Sequence, residues 1–375
     1  MNKPTLSKSR RIKKTIFTDR LEEQGLSAYT VYAQTLLPSG FKNTLEEDYL
    51  HLTGDGVQIF DVAAQVVIRF TGKDSKKLVQ LMTPRDLTNA VFGKCYYAPF
   101  VNEKGNMIND PVVLRLKEDE WLVSIADNAI DLFASGLAVG MNMDVKIERT
   151  GYQIMAIQGK NSYELAKRVF GDSILSQKFF NYNYYDFKDT SFLVGNLGWT
   201  GQGGYEVWIS PEQHKEGLDL YDNLFVIGKD LNIKPGYPNL IDSLESGLLS
   251  FGNCMDSNDS PLHCGLDKFV NLDSAANFLG KEILKKQKKE GIEKKLMGVK
   301  IQDLKKIEVD KEINIYFNNQ IIGELRRAAF SPNPKFQTVI GIAMIKKGYF
   351  EVGQEFDITI NQKKYKGEVC SLPFI

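Results

Sequence analysis

The sequence predicts an α+β chain of two or three domains that ends in an all-strand module. Three observations carry this. The 375 residues exceed what one hydrophobic core ordinarily organises. Strand-like and helix-like segments alternate with short connections from Gly56 to Gly171, the rhythm of α+β or split βαβ layers. After Leu296 helical periodicity stops, and six short strand-like runs with turn signals follow, as in a small barrel or sandwich.

Residues 15–55 mix helical and loop signals. Within them Thr44 stands three residues before Glu47, a capping pair that starts a helix. Gly56 to Gly72 is one β-branched, strand-like run. Lys73 to Met82 is a helix ended by Thr83-Pro84. Around Asn102-Glu-Lys-Gly105 two apolar runs flank a polar turn, and Gly and Asn tolerate the left-handed backbone that a hairpin turn needs. Trp121–Ile125 is a strand, 128–141 an amphipathic helix, and 143–150 and 152–159 strands. The helix over 161–171 stops at Gly171. Leu240 to Gly252 is an apolar helix holding Glu245, a carboxylate that belongs at a helix boundary or in a pair. The charge run from Lys285 to Gly291 reads as a surface linker. The expected domains are therefore 1–285, two interleaved α+β domains, and 296–375, the C-terminal β module.

Composition narrows the function. Lys and Arg balance Asp and Glu at 47 each, so no net charge draws the chain to nucleic acid or an anionic membrane. No apolar run approaches membrane-spanning length. The basic stretch Lys3–Lys14 lacks a following apolar core and reads as a solvated tail rather than a secretory signal. Cys95, Cys254, Cys264 and Cys370 are scattered, which suits a reduced, cytoplasmic protein. His51, His214 and His263 complete no metal set and sit in no hydrolase motif, and no phosphate-cradling glycine loop is present.

Two stretches carry chemistry. Asp110 follows the Asn102 hairpin and precedes Pro111, which favours an extended backbone and withholds a ladder donor, so the carboxylate is expected at a strand edge. Alone, such an Asp is a turn carboxylate in water. The second stretch is Gly198-Trp-Thr-Gly-Gln-Gly-Gly-Tyr-Glu-Val-Trp. Its glycines permit close backbone approach, Trp199 offers a flat face, and Glu206 shares a strand face with Trp208. A Glu beside such a loop can grip a guanidine-like edge through two parallel N–H bonds; the plainer reading is an exposed Glu on a glycine-rich hairpin.

In order, these pieces resemble the folate-dependent aminomethyltransferases, the T-protein family of the glycine cleavage system. Phe60-Asp-Val is similar to the family's F-D-V-S-H, and Asn102 to Asp110 to N-E-x-G-G-x-x-D-D. Ala156-Ile-Gln-Gly is similar to A-L-Q-G-P, Gly198 to Glu206 to G-Y-T-G-E-x-G-x-E, Phe278-Leu-Gly-Lys-Glu to F-I-G-K-E, and Leu372-Pro-Phe to the closing P-F. The resemblance implies a three-domain cloverleaf with a C-terminal β-barrel and tetrahydrofolate in its centre. It implies that Asp110 is the catalytic carboxylate near folate N5, that Glu206 holds the pterin's amino-pyrimidinone edge, and that Trp199 packs on the folate; Tyr97 is a further candidate for binding the folate.

The departures point within the family. Asn106 and Asn109 replace a Gly and the first Asp of the double acid; Ala63-Ala64, Ile125 and Asn239 replace Ser-His, an Asn and an Arg. A kept folate frame with changed groups around the transferred carbon resembles the branch that demethylates dimethylsulfoniopropionate, a sulfonium. Such a methyl is already activated, so neither metal nor covalent nucleophile is required, and N5 can attack in line from about 3–3.5 Å. Aromatic faces would suit the sulfonium, and Tyr29, Tyr32, Tyr97 and Trp199 are the candidates. The alternatives are an aminomethyltransferase acting on a lipoyl carrier and a non-catalytic folate-binding module. The K-G-C-Y-x-G-Q-E motif of the latter does not match Lys94-Cys-Tyr-Tyr-Ala-Pro.

Overall fold

The computed structural model describes residues 9–375. They form two compact units, each drawn from several stretches of chain. The first takes residues up to Val66, Thr150–Gly198 and Gln202–Pro238; the second takes Val67–Arg149, Trp199–Gly201 and Asn239–Ile375. The fold is α+β with a closed C-terminal barrel.

The first unit is built on a six-stranded sheet. Its order is Tyr182–Phe187, Thr190–Gly195, Gly204–Ile209, Gln153–Gln158, Val57–Asp61 and Ile233–Gly236. Only the last pair is parallel. The helices Ser162–Phe170 and His214–Ile227 bring Leu165, Ala166, Leu220 and Leu224 into one buried core with Ile157, Tyr205, Val207 and Ile209. Because side chains alternate along a strand, Tyr205 and Val207 entering that core sends Glu206 and Trp208 to the other face. The helix Leu45–Thr53 starts as the sequence predicts: Glu47 N–H donates to Thr44 Oγ1 at 3.2 Å and Thr44 N–H to Glu47 Oε2 at 2.8 Å.

Three expectations fail along residues 9–72. Ala28–Tyr32 and Thr35–Gly40 form an antiparallel hairpin where mixed signals were read. Residues 3–8 of the basic stretch lie outside the described residues, but Lys13 is no tail: its N–H donates to the Gln34 carbonyl at 2.8 Å and its carbonyl accepts from Leu36 N–H at 2.9 Å. Nor is Gly56–Gly72 one strand. It breaks into Val57–Asp61 and Val66–Thr71, which belong to different sheets. The cause is local: Asp61 Oδ1 accepts the Ala63 N–H at 3.0 Å, a side-chain turn that competes with the ladder.

The second unit contains a five-stranded sheet in the order Lys146–Arg149, Val66–Thr71, Glu120–Ile125, Val112–Lys117, Cys95–Tyr97. It also contains the barrel. Its six strands, Lys294–Ile301, Ile313–Phe317, Gln320–Ser331, Thr338–Lys346, Glu355–Ile360 and Lys363–Cys370, close on themselves, and closure leaves no sheet edge. Val299, Ile315, Leu325, Ala343, Ile358 and Val369 fill its interior.

The apolar helix around Glu245 is shorter than its composition suggests, Leu240–Glu245 only. Gly247 takes φ +64°, its N–H returns to Leu244 and Leu248 N–H returns to Ser243, the bonding pattern of a glycine helix stop. Glu245 is both at the boundary and paired: Ser331 Oγ donates to one oxygen, and Asn333 Nδ2 to the other at 3.2 Å. The charge run at Lys285 is not a linker but part of the helix Lys281–Glu290. Leu284, fully buried, docks one side of it while the lysines face water.

Candidate active site

Asp110 hangs from the hairpin of Phe100–Val101 and Met107–Asn109. The turn is closed by Gly105 N–H to the Asn102 carbonyl at 3.0 Å and Asn102 N–H to the Asn106 carbonyl at 2.9 Å. Gly105 takes φ +74°, and the glycine at its other side is just as necessary: a Cβ on Gly280 would stand 2.4 Å from Gly105 N. The hairpin tip thus rests directly on the start of the Leu284 helix. Its second strand is tied down by Met107 N–H to the Asp259 carbonyl at 2.7 Å, by Asn106 Nδ2 to the Ser257 carbonyl at 2.9 Å, and by Asn128 Nδ2 to the Ile108 carbonyl at 2.6 Å.

Asp110 falls in the break between Met107–Asn109 and Val112–Lys117, as the following proline demands. It is not a turn carboxylate in water. Phe251 N–H donates to its Oδ1 at 3.1 Å and the Tyr97 hydroxyl to its Oδ2 at 3.2 Å. Burial pushes its carboxyl up to about 7, with those two donors holding it from rising further. A carboxylate poised there ionises around neutrality, where a group that meets developing positive charge or takes a proton works best. Tyr97 is braced in turn. Its ring lies 5.0 Å from the Phe269 ring, and its carbonyl accepts from Arg85 Nη1 at 2.6 Å. Burial and the neighbouring Asp110 push the Tyr97 phenol well above its ordinary range, so it donates rather than ionises.

Asn109, the neighbour where the family carries an acid, is fully buried and committed to structure. Its Oδ1 accepts the N–H groups of Ala126 and Asp110, both at 3.0 Å, and its Nδ2 faces the Ala126 carbonyl at 3.4 Å. Asn109→Asp would set a buried carboxylate oxygen against that carbonyl, beside a second acid. The expected result is a loss of about 1–3 kcal/mol of stability at pH 8, read by thermal melts, that shrinks as the pH falls and the acid protonates. A melting temperature equal to wild type at pH 8 would show that this amide does not hold the Ala126 backbone.

Glu206 belongs to the first unit, on the strand Gly204–Ile209. It is 8 % exposed, which overturns the reading of an exposed hairpin Glu. Burial pushes its carboxyl up to about 7, the Trp208 indole on the same face tempering the rise. Among the described residues no Lys, Arg or His lies within 4 Å of it. The glycines before it are steric necessities: Gly204 takes φ +136°, and a Cβ there would stand 2.0 Å from the Ile157 carbonyl oxygen.

The aromatic candidates are distributed as follows. Trp199 belongs to the second unit, where its carbonyl accepts from Ser246 Oγ at 3.1 Å. Tyr29 and Tyr32 lie on the strand Ala28–Tyr32 of the first unit. Three residues apart, they occupy opposite faces of that strand, so they form no joint cage. The Tyr29 hydroxyl donates to Glu22 Oε1 at 2.9 Å. The residue that sequence reasoning missed is Phe251. Its contribution is a backbone N–H, and no side-chain pattern announces one.

A six-stranded barrel, a hairpin-borne carboxylate held by a Tyr and a backbone amide, and a buried Glu beside a glycine loop define a class. The family models for the GCVT N-terminal domain and the glycine cleavage T-protein C-terminal barrel domain match residues 17–274 and 294–375. The chain belongs to that family and is a tetrahydrofolate-dependent one-carbon transferase. Among its relatives is the dimethylsulfoniopropionate demethylase DmdA of Ruegeria pomeroyi, 34 % identical over 357 residues, 93 % of this chain and 94 % of that protein. An aminomethyltransferase of Clostridium botulinum is 30 % identical over 88 % of each chain. The crystal structure of the glycine cleavage system aminomethyltransferase T from Bartonella henselae shares the fold, with a TM-score of 0.85 at 20 % identity over 97 % of this chain and 98 % of that one.

The residues present fit tetrahydrofolate. Buried Glu206, with no cation within 4 Å among the described residues, suits the parallel donors of an amino-pyrimidinone edge. No helix among the described residues is long and apolar enough to cross a membrane.

Proposed function

We propose that the protein demethylates dimethylsulfoniopropionate, transferring one methyl to tetrahydrofolate and releasing methylmercaptopropionate. When bound, tetrahydrofolate supplies N5, whose electron pair takes the methyl while the C–S pair returns to sulfur and the N5 proton leaves. Asp110 stabilises the positive charge that builds opposite it as the methyl moves, and then receives the proton. Tyr97 and the Phe251 amide keep that carboxylate aimed and keep its affinity for a proton near neutral. Glu206 grips the pterin edge. Trp199, Tyr97 and one of Tyr29 and Tyr32 offer aromatic faces to the folate and the sulfonium.

The observation that carries this reading is the single acid. Asp110 is kept in a built setting, whereas Asn109 is an amide spent on the Ala126 backbone. One carboxylate suffices for a methyl that the sulfonium has already activated. Four free cysteines support a reducing, cytoplasmic setting. The test is turnover with dimethylsulfoniopropionate and tetrahydrofolate, read as 5-methyltetrahydrofolate by chromatography. Activity only with an aminomethylated lipoyl carrier would move the protein to the aminomethyltransferase branch, and folate binding without either turnover would make it a folate-binding module.

A further inference from the structure

We propose that Arg327, on the barrel strand Gln320–Ser331, receives the carboxylate of the substrate. The inference rests on the sulfonium reading above and extends it to specificity for a sulfonium that carries a carboxylate at its far end.

Arg326 and Arg327 are neighbours with different surroundings. The ladder slips between them and their partner strand: Leu325 faces Ala343 and Arg327 faces Ile342, leaving Arg326 as the extra residue of a bulge. Bulges re-aim side chains. Arg326 is saturated with acid, its guanidinium 3.1 Å from Asp256 Oδ2 and 3.5 Å from Glu324 Oε2. Arg327 has no carboxylate within 4 Å among the described residues. Its two contacts are long and neutral, Nη2 to Ser243 Oγ at 3.3 Å and Nη1 to Cys254 Sγ at 3.8 Å. A half-buried guanidinium without a counter-charge is unfavourable until an anion arrives. Its planar fork matches a carboxylate through two parallel bonds.

Position supplies the second half. Cys254 closes the turn that begins at Ser250, its N–H donating to the Ser250 carbonyl at 3.0 Å. That same turn carries the Phe251 N–H held by Asp110 Oδ1. The Cys254 thiol also lies within electrostatic reach of the Tyr97 phenol. Arg327 therefore contacts a side chain of the same turn that holds Asp110, within one unit of the fold. The carboxylate of dimethylsulfoniopropionate lies at the opposite end of the molecule from the departing methyl. Its receptor must be set back from Asp110, and Arg327 meets the turn that holds Asp110 at Cys254, three residues past the amide that Asp110 accepts.

The variants are Arg327→Gln, Arg327→Lys and, as a control that breaks two ion pairs next door, Arg326→Gln; thermal melts confirm that each folds. Arg327→Gln should raise the KM for dimethylsulfoniopropionate about ten- to a hundredfold with kcat little changed, with Lys recovering part of the loss. Turnover of trimethylsulfonium, which has no carboxylate, should be unaffected, and Arg326→Gln should behave as wild type. Binding of methylmercaptopropionate, followed by ligand-observed NMR, should weaken by the same factor in Arg327→Gln. That arm needs no turnover: if the wild type binds this carboxylate through Arg327 yet transfers no methyl, the reaction reading fails while the carboxylate site stands. An unchanged KM and unchanged binding overturn the proposal. So does a loss that appears only in tetrahydrofolate affinity and vanishes with a tetrahydropterin lacking glutamate, because the carboxylate held would then be the folate's.

Discussion

Asp110→Asn is expected to lower kcat on the order of ten- to a thousandfold, with little change in the KM for either substrate, measured by steady-state formation of 5-methyltetrahydrofolate. The carboxylate meets charge that exists only as the methyl moves, and an interaction made in the transition state alone enters kcat rather than KM. Asparagine keeps the shape and can still accept the Phe251 N–H, so the loss isolates the charge. The wild-type profile should fall on the acid side with a midpoint near pH 7, where burial has pushed this carboxyl, and the variant's residual rate should lack that limb. Stability should move oppositely. The folded state raises this carboxyl above its ordinary 3.8, so its stability is full below about pH 4 and is lost as the pH rises to about 7. Asp110→Asn should therefore melt a few degrees higher than wild type at pH 8, an advantage that disappears toward pH 4. Near-wild-type turnover in this variant would remove Asp110 from the chemistry.

Glu206→Gln is expected to weaken tetrahydrofolate binding by about 1.5–3 kcal/mol, roughly ten- to a hundredfold, by calorimetry. One charge-assisted bond becomes a contact between two donors. Because the carboxyl sits at about 7 in the free protein, wild-type affinity should decline as the pH falls below 7, while the glutamine variant should be nearly flat. The sign for stability repeats that of Asp110. Raised above its ordinary 4.5, the Glu206 carboxyl costs stability as the pH climbs from there to about 7, and the glutamine variant should be the more stable apoprotein at pH 8. A variant that binds folate as wild type does would take Glu206 out of the site.

Those two carboxylates also mark the limit of what the residues alone disclose. Strand alternation assigned Glu206 a face, and the pre-proline position assigned Asp110 a strand edge, because both follow from local backbone geometry. The Thr44–Glu47 cap, the Asn102 hairpin and the six closing strands were legible for the same reason: each signal lies within a few residues of the element it makes. Where a local signal had two outcomes, the sequence misled. Val57–Asp61 and Val66–Thr71 read as one strand because their composition is continuous; only the Asp61–Ala63 side-chain turn separates them. Lys285–Gly291 read as a linker because charge dominates it, whereas one buried leucine against Gly105 makes it a helix.

By itself, then, the sequence determined the α+β class and the C-terminal strands and singled out the two acids as candidates, since periodicity, turn chemistry and the ordered motifs are properties of neighbouring residues. Tertiary structure alone decided the states of those acids. Asp110 meets Phe251 across 141 positions, and its ionisation near neutral comes from burial by chain brought from elsewhere. The closure of the barrel and the bulge at Arg326 are likewise long-range events. Desolvation and register depend on which distant segments pack together, and no window of sequence contains both partners.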